Sequence, residues 1–252
     1  MNEDLAKRIS HLFDGIGNNL QNTDPEWVDI IANFSQKETV SVSRLTQKEQ
    51  MLCILSALLG CQGMGEFQNM LHAALNMKID PVAIKEVIYQ ATAYLGIGRT
   101  YDFLVAANQI MEQHGIRLPL KPQATTDETT RFEAGLDKQV ALFGADMAKR
   151  QTDGPVLRRN INRWLADNCF GDYYTRNGLN DQERELITFC FILAQGGCEN
   201  QLRGHTAGNF GVGNDKEKLY SVVEQCMPYI GYPRSLNAMN IIDEMSKKME
   251  NQ

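Results

Sequence analysis

An internal repeat constrains the fold of this chain more than any other feature of its sequence. LTQKEQMLCILSALLG (45–60) matches LNDQERELITFCFILAQGG (179–197), and EFQNMLHAALNM (66–77) matches ENQLRGHTAGNF (199–210). Both members of the second pair contain E-x-Q-x-x-x-H, and the offset between the copies stays between 133 and 135 residues. A unit that occurs twice with few gaps predicts two similar structural modules.

The repeated segments carry the marks of amphipathic helices. Thr46 with Glu49, and Asn180 with Glu183, fit the capping box, in which side chain and backbone satisfy each other at the start of a helix. Further on, apolar residues recur at i, i+3, i+4, i+7 and i+11 in both copies, which predicts one buried stripe on each helix. These residues are Ile84, Val87, Ile88, Ala91 and Leu95 in the first copy and Leu219, Val222, Val223, Cys226 and Ile230 in the second.

Caps and glycines define the ends of the same pair of helices. Asp80 followed by Pro81 predicts the start of the first helix, and Asn214 with Glu217 predicts the start of the second. Both end at a glycine, in YLGIGR (94–99) and YIGYPR (229–234), and another helix follows each.

The domain organisation follows from this pattern. We predict a first repeat at 1–114, a linker at 115–128 (GIRLPLKPQATTDE, with two prolines and a polar tail), and a second repeat at 129–252. The only strand-like stretch is ETVSVS (38–43), so the predicted fold class is all-α, with the two repeats packed on each other. Each repeat also begins with a predicted helix whose apolar residues share a face: Leu5, Ile9, Leu12, Phe13 and Ile16 in the first, and Leu157, Ile161, Trp164 and Leu165 in the second.

Charge and composition exclude several classes of function. The net charge is −6 with no long basic run, which argues against a nucleic-acid or anionic-membrane partner. No apolar stretch reaches membrane-spanning length and MNEDLAKRIS is too charged for a signal peptide, so we expect a cytoplasmic protein. None of the six cysteines forms C-x-x-C, and no phosphate-binding glycine loop or metal-spaced histidine pair occurs. We therefore expect reduced cysteines, no metal and no cofactor.

The sequence resembles the carboxymuconolactone decarboxylase family. The resemblance lies in HAALNMKIDPVAIKEVIYQATAYLGIG (72–98), YIGYPRSLNAMN (229–240), RFEAGLDKQVALFGADM (131–147) and CFGDYYTRNGLNDQERELIT (169–188). It covers nearly all of the second half and about residues 45–110 of the first. It implies an all-helical fold that oligomerises around its central helices. Single-repeat members form hexameric rings, so a tandem chain is suited to a homotrimer with the same six-unit geometry.

The related alkyl-hydroperoxidase-D proteins carry C-x-x-C-x-x-x-H on the central helix. On that pattern Cys198 takes the first cysteine position and His205 the histidine, but Gln201 stands where the second cysteine would be. In the first repeat, Gly65 and Gln68 take both sulfur positions. A disulfide relay needs an attacking and a resolving thiol, so the sequence disfavours this peroxidase chemistry.

The predicted catalytic residues are His205, His72, Glu199 and Cys198. The two histidines occupy one repeat-equivalent position and can pass a proton near neutral pH, although a core imidazole would also be retained in both copies. Glu199 lies six residues before His205, so a catalytic role requires it to meet a histidine of another repeat or subunit; complementing the helix dipole is the alternative. Cys198 opens a helix, which suits a reactive thiol or simply a small residue after Gly-Gly.

The predicted substrate-binding residues are Arg234, Arg176, Gln201 and Tyr229. Either arginine could clamp a carboxylate, or could be a solvated or loop-anchoring side chain. Gln201 lies four residues before His205 on the same helical face and could orient the imidazole or bind a substrate oxygen, or fill the surface. Tyr229 could donate its phenol proton to substrate or pack as an ordinary aromatic residue.

Three functions remain open on this basis. The leading hypothesis, implied by the resemblance, is a cofactor-free lyase that uses acid–base chemistry on a small carboxylated lactone or related acidic ring. The second is a thiol peroxidase or reductase of the alkyl-hydroperoxidase-D kind that uses Cys198. The third is a non-catalytic oligomer that binds a small-molecule ligand.

Overall fold

The computed structural model describes residues 19–250, and these residues form helices joined by non-helical connections, with no β-strand among them. The all-α prediction is therefore confirmed. The predicted leading helix at Leu5–Ile16 lies outside the described residues. No helix of the described part is long and apolar enough to cross a membrane.

In the first half, a segment of short helices, called the lead-in below, precedes four long helices. The lead-in consists of α1 (Leu20–Thr23), α2 (Pro25–Asn33), a π-helical segment (Phe34–Glu38) and α3 (Thr39–Ser41). The long helices are α4 (Gln47–Gly60), α5 (Met64–Asn76), α6 (Pro81–Leu95) and α7 (Ile97–Gln113). The strand-like pattern at 38–43 was misleading, because this segment continues the helical lead-in, with Thr39 buried.

The second half has the same order. Its lead-in contains α8 (Arg131–Phe143), α9 (Asp146–Thr152), a 3-10 turn (Val156–Arg158), α10 (Arg159–Trp164) and a π-helical segment (Leu165–Tyr174). The long helices are α11 (Asp181–Gln195), α12 (Glu199–Gly211), α13 (Lys216–Ile230) and α14 (Tyr232–Glu250).

The ends of corresponding helices are built alike. Thr46 and Asn180 both form complete capping boxes, as expected. Gly96 and Gly231 end α6 and α13 with φ of 79° and 81°, a conformation that glycine adopts at little cost. The expected cap at Asn214 is wrong by one residue, because Asp215 accepts the backbone N–H of Lys218. Asn214 instead lies buried, with its side-chain amide on Gln182 and Asn209.

The two halves share their cores. Helices α4 and α11 pack against each other, and a Cβ on Gly60 would lie 2.7 Å from the backbone oxygen of Phe191. Phe191 and Ile187 belong to the cluster built mainly by the first half, whereas Cys53 and Ala57 belong to the cluster built mainly by the second. The halves therefore bury their apolar faces against each other. The exact boundaries of the two repeats stay a prediction.

The predicted apolar face of the second lead-in is not covered by any described part of this chain. Leu157 is 97% exposed, and Ile161 and Trp164 are more than half exposed. This segment forms a short 3-10 turn followed by α10 rather than one long amphipathic helix.

Candidate functional site

His205 pairs with a buried glutamate. It lies in the middle of α12, its side chain is 12% exposed, and its Nδ1 lies 2.9 Å from Oε2 of Glu185 on α11. A carboxylate oxygen accepts but does not donate, so Nδ1 carries the proton and Nε2 is the ring nitrogen left for another partner. No other described residue forms a hydrogen bond to this ring.

Glu185 has both carboxylate oxygens engaged. Its side chain is fully buried, and the hydroxyl of Tyr174 donates to Oε1 at 2.9 Å. A buried carboxylate is tolerated only when hydrogen bonds replace its lost hydration. Tyr174 and His205 supply these bonds, one to each oxygen, and together they fix the orientation of the carboxylate.

A chain of hydroxyl groups extends from Glu185 into the first half. The hydroxyl of Tyr94, on α6, lies 3.0 Å from that of Tyr174, and the thiol of Cys169 lies 3.8 Å from the Tyr94 oxygen. Burial raises the pKa of both phenols well above the ordinary value and raises the pKa of Cys169 to about 12. These groups therefore stay protonated at neutral pH. Because Tyr174 gives its one proton to Glu185, Tyr94 donates to Tyr174.

Aromatic rings and a glycine form the walls around the imidazole. The rings of Tyr94 and Phe143 both meet the His205 ring edge-on, at centroid distances of 5.4 Å. Gly208, one turn after His205, faces the Glu185 carboxylate where a side chain would collide with it. The neighbouring Asn209 donates to the backbone oxygen of Glu185 and so holds α12 against α11. The pair is thus surrounded mostly by aromatic rings.

A second branch of polar contacts leads from Tyr174 to a buried ion cluster. Thr188 lies 2.7 Å from the Tyr174 hydroxyl and accepts from Gln90 on α6. Gln90 in turn accepts from Arg184 at 2.7 Å. Arg184 is fully buried and bonds Glu86, and burial lowers its pKa. These contacts fix α6 of the first half against α11 of the second.

The first half keeps the histidine but not its acidic partner. Nδ1 of His72 lies 2.9 Å from Nε2 of His114, and the position equivalent to Glu185 is taken by the buried Met51. Burial lowers the pKa of His72, and the neighbouring His114 adds to the effect. The equivalent of Gly208 is Leu75, also buried. The structure therefore places a histidine–carboxylate pair in the second half and a histidine–histidine pair in the first.

Three of the predicted site residues lie together at the start of α12, apart from His205. Cys198 and Glu199 line a small crevice with Arg234, whose guanidinium donates to the backbone oxygen of Ala194. Cys198 Sγ accepts from the side-chain amide of Gln195 at 3.1 Å, and Glu199 is exposed. His205 follows Cys198 by seven positions, roughly 10 Å along the helix axis. The thiol and the imidazole are therefore not brought together.

The remaining predicted residues have other surroundings. Gln201 is exposed. Arg176 binds the buried Glu86 with its Nε and terminal nitrogen, at 3.0 Å in each case. The hydroxyl of Tyr229 lies 3.7 Å from the sulfur of Met70, and burial raises its pKa. None of these side chains contacts His205 in a described hydrogen bond or ring contact.

The sequence reasoning missed Glu185 and Tyr174. Glu185 lies two residues after the capping Glu183, and we assigned no role to it. A comparison of the two copies points to it, because Glu185 aligns with Met51 in helices that otherwise match. A carboxylate that replaces an apolar side chain at a core position is a sign of function, since burying it costs free energy unless it is bonded.

Comparisons with known proteins agree with this architecture. Residues 160–244 match the model of the carboxymuconolactone decarboxylase family. The chain is 26% identical over 124 residues to 4-carboxymuconolactone decarboxylase of Acinetobacter baylyi, an alignment that spans 49% of this chain and 92% of that protein. It also resembles a crystal structure from Burkholderia xenovorans described as that of a gamma-carboxymuconolactone decarboxylase subunit, with a TM-score of 0.57 and 15% identity over 97% of both chains. The second likeness shows the fold alone.

Proposed function

Because the chain carries a carboxymuconolactone decarboxylase family region at residues 160–244, we propose that it is a cofactor-free carboxy-lyase. Its substrate is a small carboxylated lactone or a related acidic ring. The observation that carries the proposal is the pairing of His205 with Glu185, since a buried carboxylate bonded to Nδ1 leaves Nε2 as the ring nitrogen that can meet a substrate. The pair supplies the acid–base group that such a reaction requires.

The chemistry needs a proton donor and stabilisation of charge. When the carbon–carbon bond to the carboxylate breaks, CO₂ leaves and its bonding electrons pass into the ring as an enolate. A protonated His205 then delivers the proton on Nε2 to the ring carbon, which neutralises the enolate and completes the product. The negative charge of Glu185 stabilises the imidazolium before transfer and fixes the ring orientation throughout. The His205 imidazole then regains a proton from water, because its side chain is partly exposed to solvent.

The substrate carboxylate needs a cation, and we propose Arg234 for this role rather than Arg176; the bound substrate then extends from the crevice at the start of α12 towards His205. Arg234 begins α14, which packs against α12, and its guanidinium binds only a backbone oxygen among the described residues. Arg176 is held by Glu86. An arginine already bonded to a buried carboxylate is a poor clamp for a second one.

The proposal is tested by measuring CO₂ release from carboxymuconolactone by the purified chain. We expect turnover in the wild type, and a decrease in kcat of about 10²- to 10⁴-fold in Glu185→Gln and in His205→Asn, which is the usual contribution of a general acid or base. His72→Asn is the matched control, because its ring pairs with His114 and not with a carboxylate, and it should keep the wild-type rate. No turnover by the wild type, or an unchanged rate in His205→Asn, would contradict the proposal.

We further propose that the chain assembles as a homotrimer, giving six repeat units around a ring. The exposed apolar side chains of Leu157, Ile161 and Trp164 support an assembly, since a protein–protein contact would bury them. Light scattering coupled to gel filtration should then give about three times the chain mass of 28.4 kDa. A monomer mass at micromolar concentration would contradict this assembly.

A further inference from the structure

A cavity of about 490 Å³ lies on the first half of the chain, away from His205. Its walls come from α6, α7 and the 118–123 stretch that connects the halves, with Arg176 of the second half at one edge. Neither His205 nor any residue in contact with its ring lines this cavity. It is large enough for a single-ring organic molecule.

One wall of the cavity carries a buried ammonium group that lacks an anionic partner. Lys85 is 8% exposed, and its Nζ donates to the side-chain oxygen of Asn108. The ion pairs of residues 19–250 include none to Lys85. Burial lowers the pKa of this lysine, as expected for an ammonium whose hydration is lost without a carboxylate to replace it.

The buried carboxylate that lines this cavity is already shared by two other cations. Glu86 receives Arg176 at 3.0 Å and Arg184 at 3.2 Å. The lining therefore carries more positive than negative charge. Lys85 adds one uncompensated cation, and the exposed Lys121 and Glu112, which also line the cavity, carry opposite charges. An anion that enters the cavity would meet an unpaired, partly dehydrated charge, where electrostatic attraction is strong.

The rest of the wall suits a flat apolar body. Two cations lie over the ring of Tyr89: the Arg176 guanidinium carbon is 5.2 Å and Nζ of Lys85 is 5.8 Å from the ring centroid. Leu118 and Leu120 lie on the connecting stretch that forms part of the lining. A cluster of cations beside an aromatic face and aliphatic side chains matches a ligand that has a charged end and a ring.

We propose that this cavity binds a small aromatic or cyclic carboxylate, with its carboxylate bound by Lys85 and its ring against Tyr89. Lys85 supplies the charge that no carboxylate among the described residues neutralises. Leu118 and Leu120 exclude water from the ring. The site is separate from the His205–Glu185 pair and does not depend on any reaction there.

The test uses benzoate as the probe and isothermal titration calorimetry on the full chain. We expect saturable binding of benzoate at one site per chain, weakened about tenfold or more in Lys85→Met, because this variant removes a charged hydrogen bond but keeps the length of the side chain. Lys149→Met, on an exposed lysine, and His205→Asn should both bind like the wild type. Inorganic phosphate is the second arm and should bind more weakly than benzoate, since it has no ring to place against Tyr89.

Three results would overturn the proposal: no saturable binding to the wild type, unchanged affinity in Lys85→Met, or equal affinity for phosphate and benzoate. If Lys85→Met fails to fold, acetylation of wild-type lysines followed by mass spectrometry replaces it. Benzoate should then protect Lys85 and leave Lys149 reactive, and equal modification of Lys85 with and without benzoate would again overturn the proposal. Loss of benzoate binding in His205→Asn would instead assign the ligand to the proposed catalytic site, so failure of one proposal can be told from failure of the other.

Discussion

A Cβ added to Gly208 would lie 2.5 Å from Oε2 of Glu185, the oxygen that accepts the hydrogen bond from His205. It would also lie 2.9 Å from a ring carbon of Phe143. The pairing of imidazole and carboxylate is therefore possible only where α12 carries no side chain at this point. The first half shows the alternative, because Leu75 and Met51 fill the corresponding positions with apolar side chains.

Replacing Gly208 with alanine should displace the Glu185 carboxylate. We expect a decrease in kcat of at least tenfold if the His205 pair performs the proposed chemistry, and a decrease in the free energy of unfolding of about 1–3 kcal/mol, the usual cost of an added group in a packed site. Urea unfolding and the activity assay measure both effects. Gly204→Ala is the matched control on the same helix. It faces open space, so it should be neutral or stabilising by about 0.4–1 kcal/mol. Equal behaviour of the two variants would contradict this account.

Removing the charge of Glu86 should strongly destabilise the fold. Glu86→Gln leaves the fully buried Arg184 without its carboxylate, and we expect a decrease in the free energy of unfolding of about 3–5 kcal/mol, measured by urea unfolding. Glu217→Gln is the control, because Glu217 pairs with Arg44 where both side chains are more than 60% exposed. It should change stability by less than about 1 kcal/mol. A decrease of less than about 1 kcal/mol in Glu86→Gln would contradict this prediction, because it would mean that other groups or water replace the carboxylate that Arg184 loses.

Burial of His72, together with its contact to His114, should make stability depend on pH. Because the folded-state pKa of His72 lies below the ordinary value of 6.5, the unfolded chain binds more protons between that lower pKa and 6.5. Stability therefore decreases as the pH falls through this window. His72→Gln should flatten the dependence, as measured by urea unfolding between about pH 7.5 and 5.5. Parallel curves for the two proteins would be inconsistent with a lowered pKa of His72.

The six thiols, all free, should differ in their reaction with iodoacetamide. Cys53, Cys190 and Cys226 are fully buried, and burial raises the pKa of Cys169 to about 12, so these four should stay unmodified in the folded protein. Cys198 is only half-buried at the start of α12 and should be modified first. Mass spectrometry after limited labelling gives the order.

If Cys198→Ser also abolished hydroperoxide consumption, the thiol peroxidase hypothesis would gain support over the lyase.

The sequence predicted the helices better than the site. Capping boxes at Thr46 and Asn180 and the glycine ends at Gly96 and Gly231 are local features, determined by residues three or four apart, and they appear as expected. The misplaced cap at Asn214 has a tertiary cause. The Asn214 amide binds Asn209 and Gln182 in the core, which leaves Asp215 to cap α13.

The site depends on contacts between residues that are distant in sequence. The E-x-Q-x-x-x-H spacing relates only residues of one helix. The partner of His205, Glu185, lies on α11, and the hydroxyl groups of Tyr174 and Tyr94 lie on the π-helical segment and on α6. Helical periodicity does not report which helices face each other. In the sequence, the site is marked by a single difference between the copies: Glu185 of the second copy corresponds to Met51 of the first.

The position of Tyr94 has a consequence for how this chain can change. Its phenol belongs to the half whose own histidine has no carboxylate, yet it lies against the ring of His205 and donates to the network behind it. The first copy therefore supplies a side chain that completes the surroundings of His205 in the second copy, as one chain of a heterodimer can complete the site of the other. A split protein, cut between the copies, should regain the geometry around His205 only when both fragments are recombined.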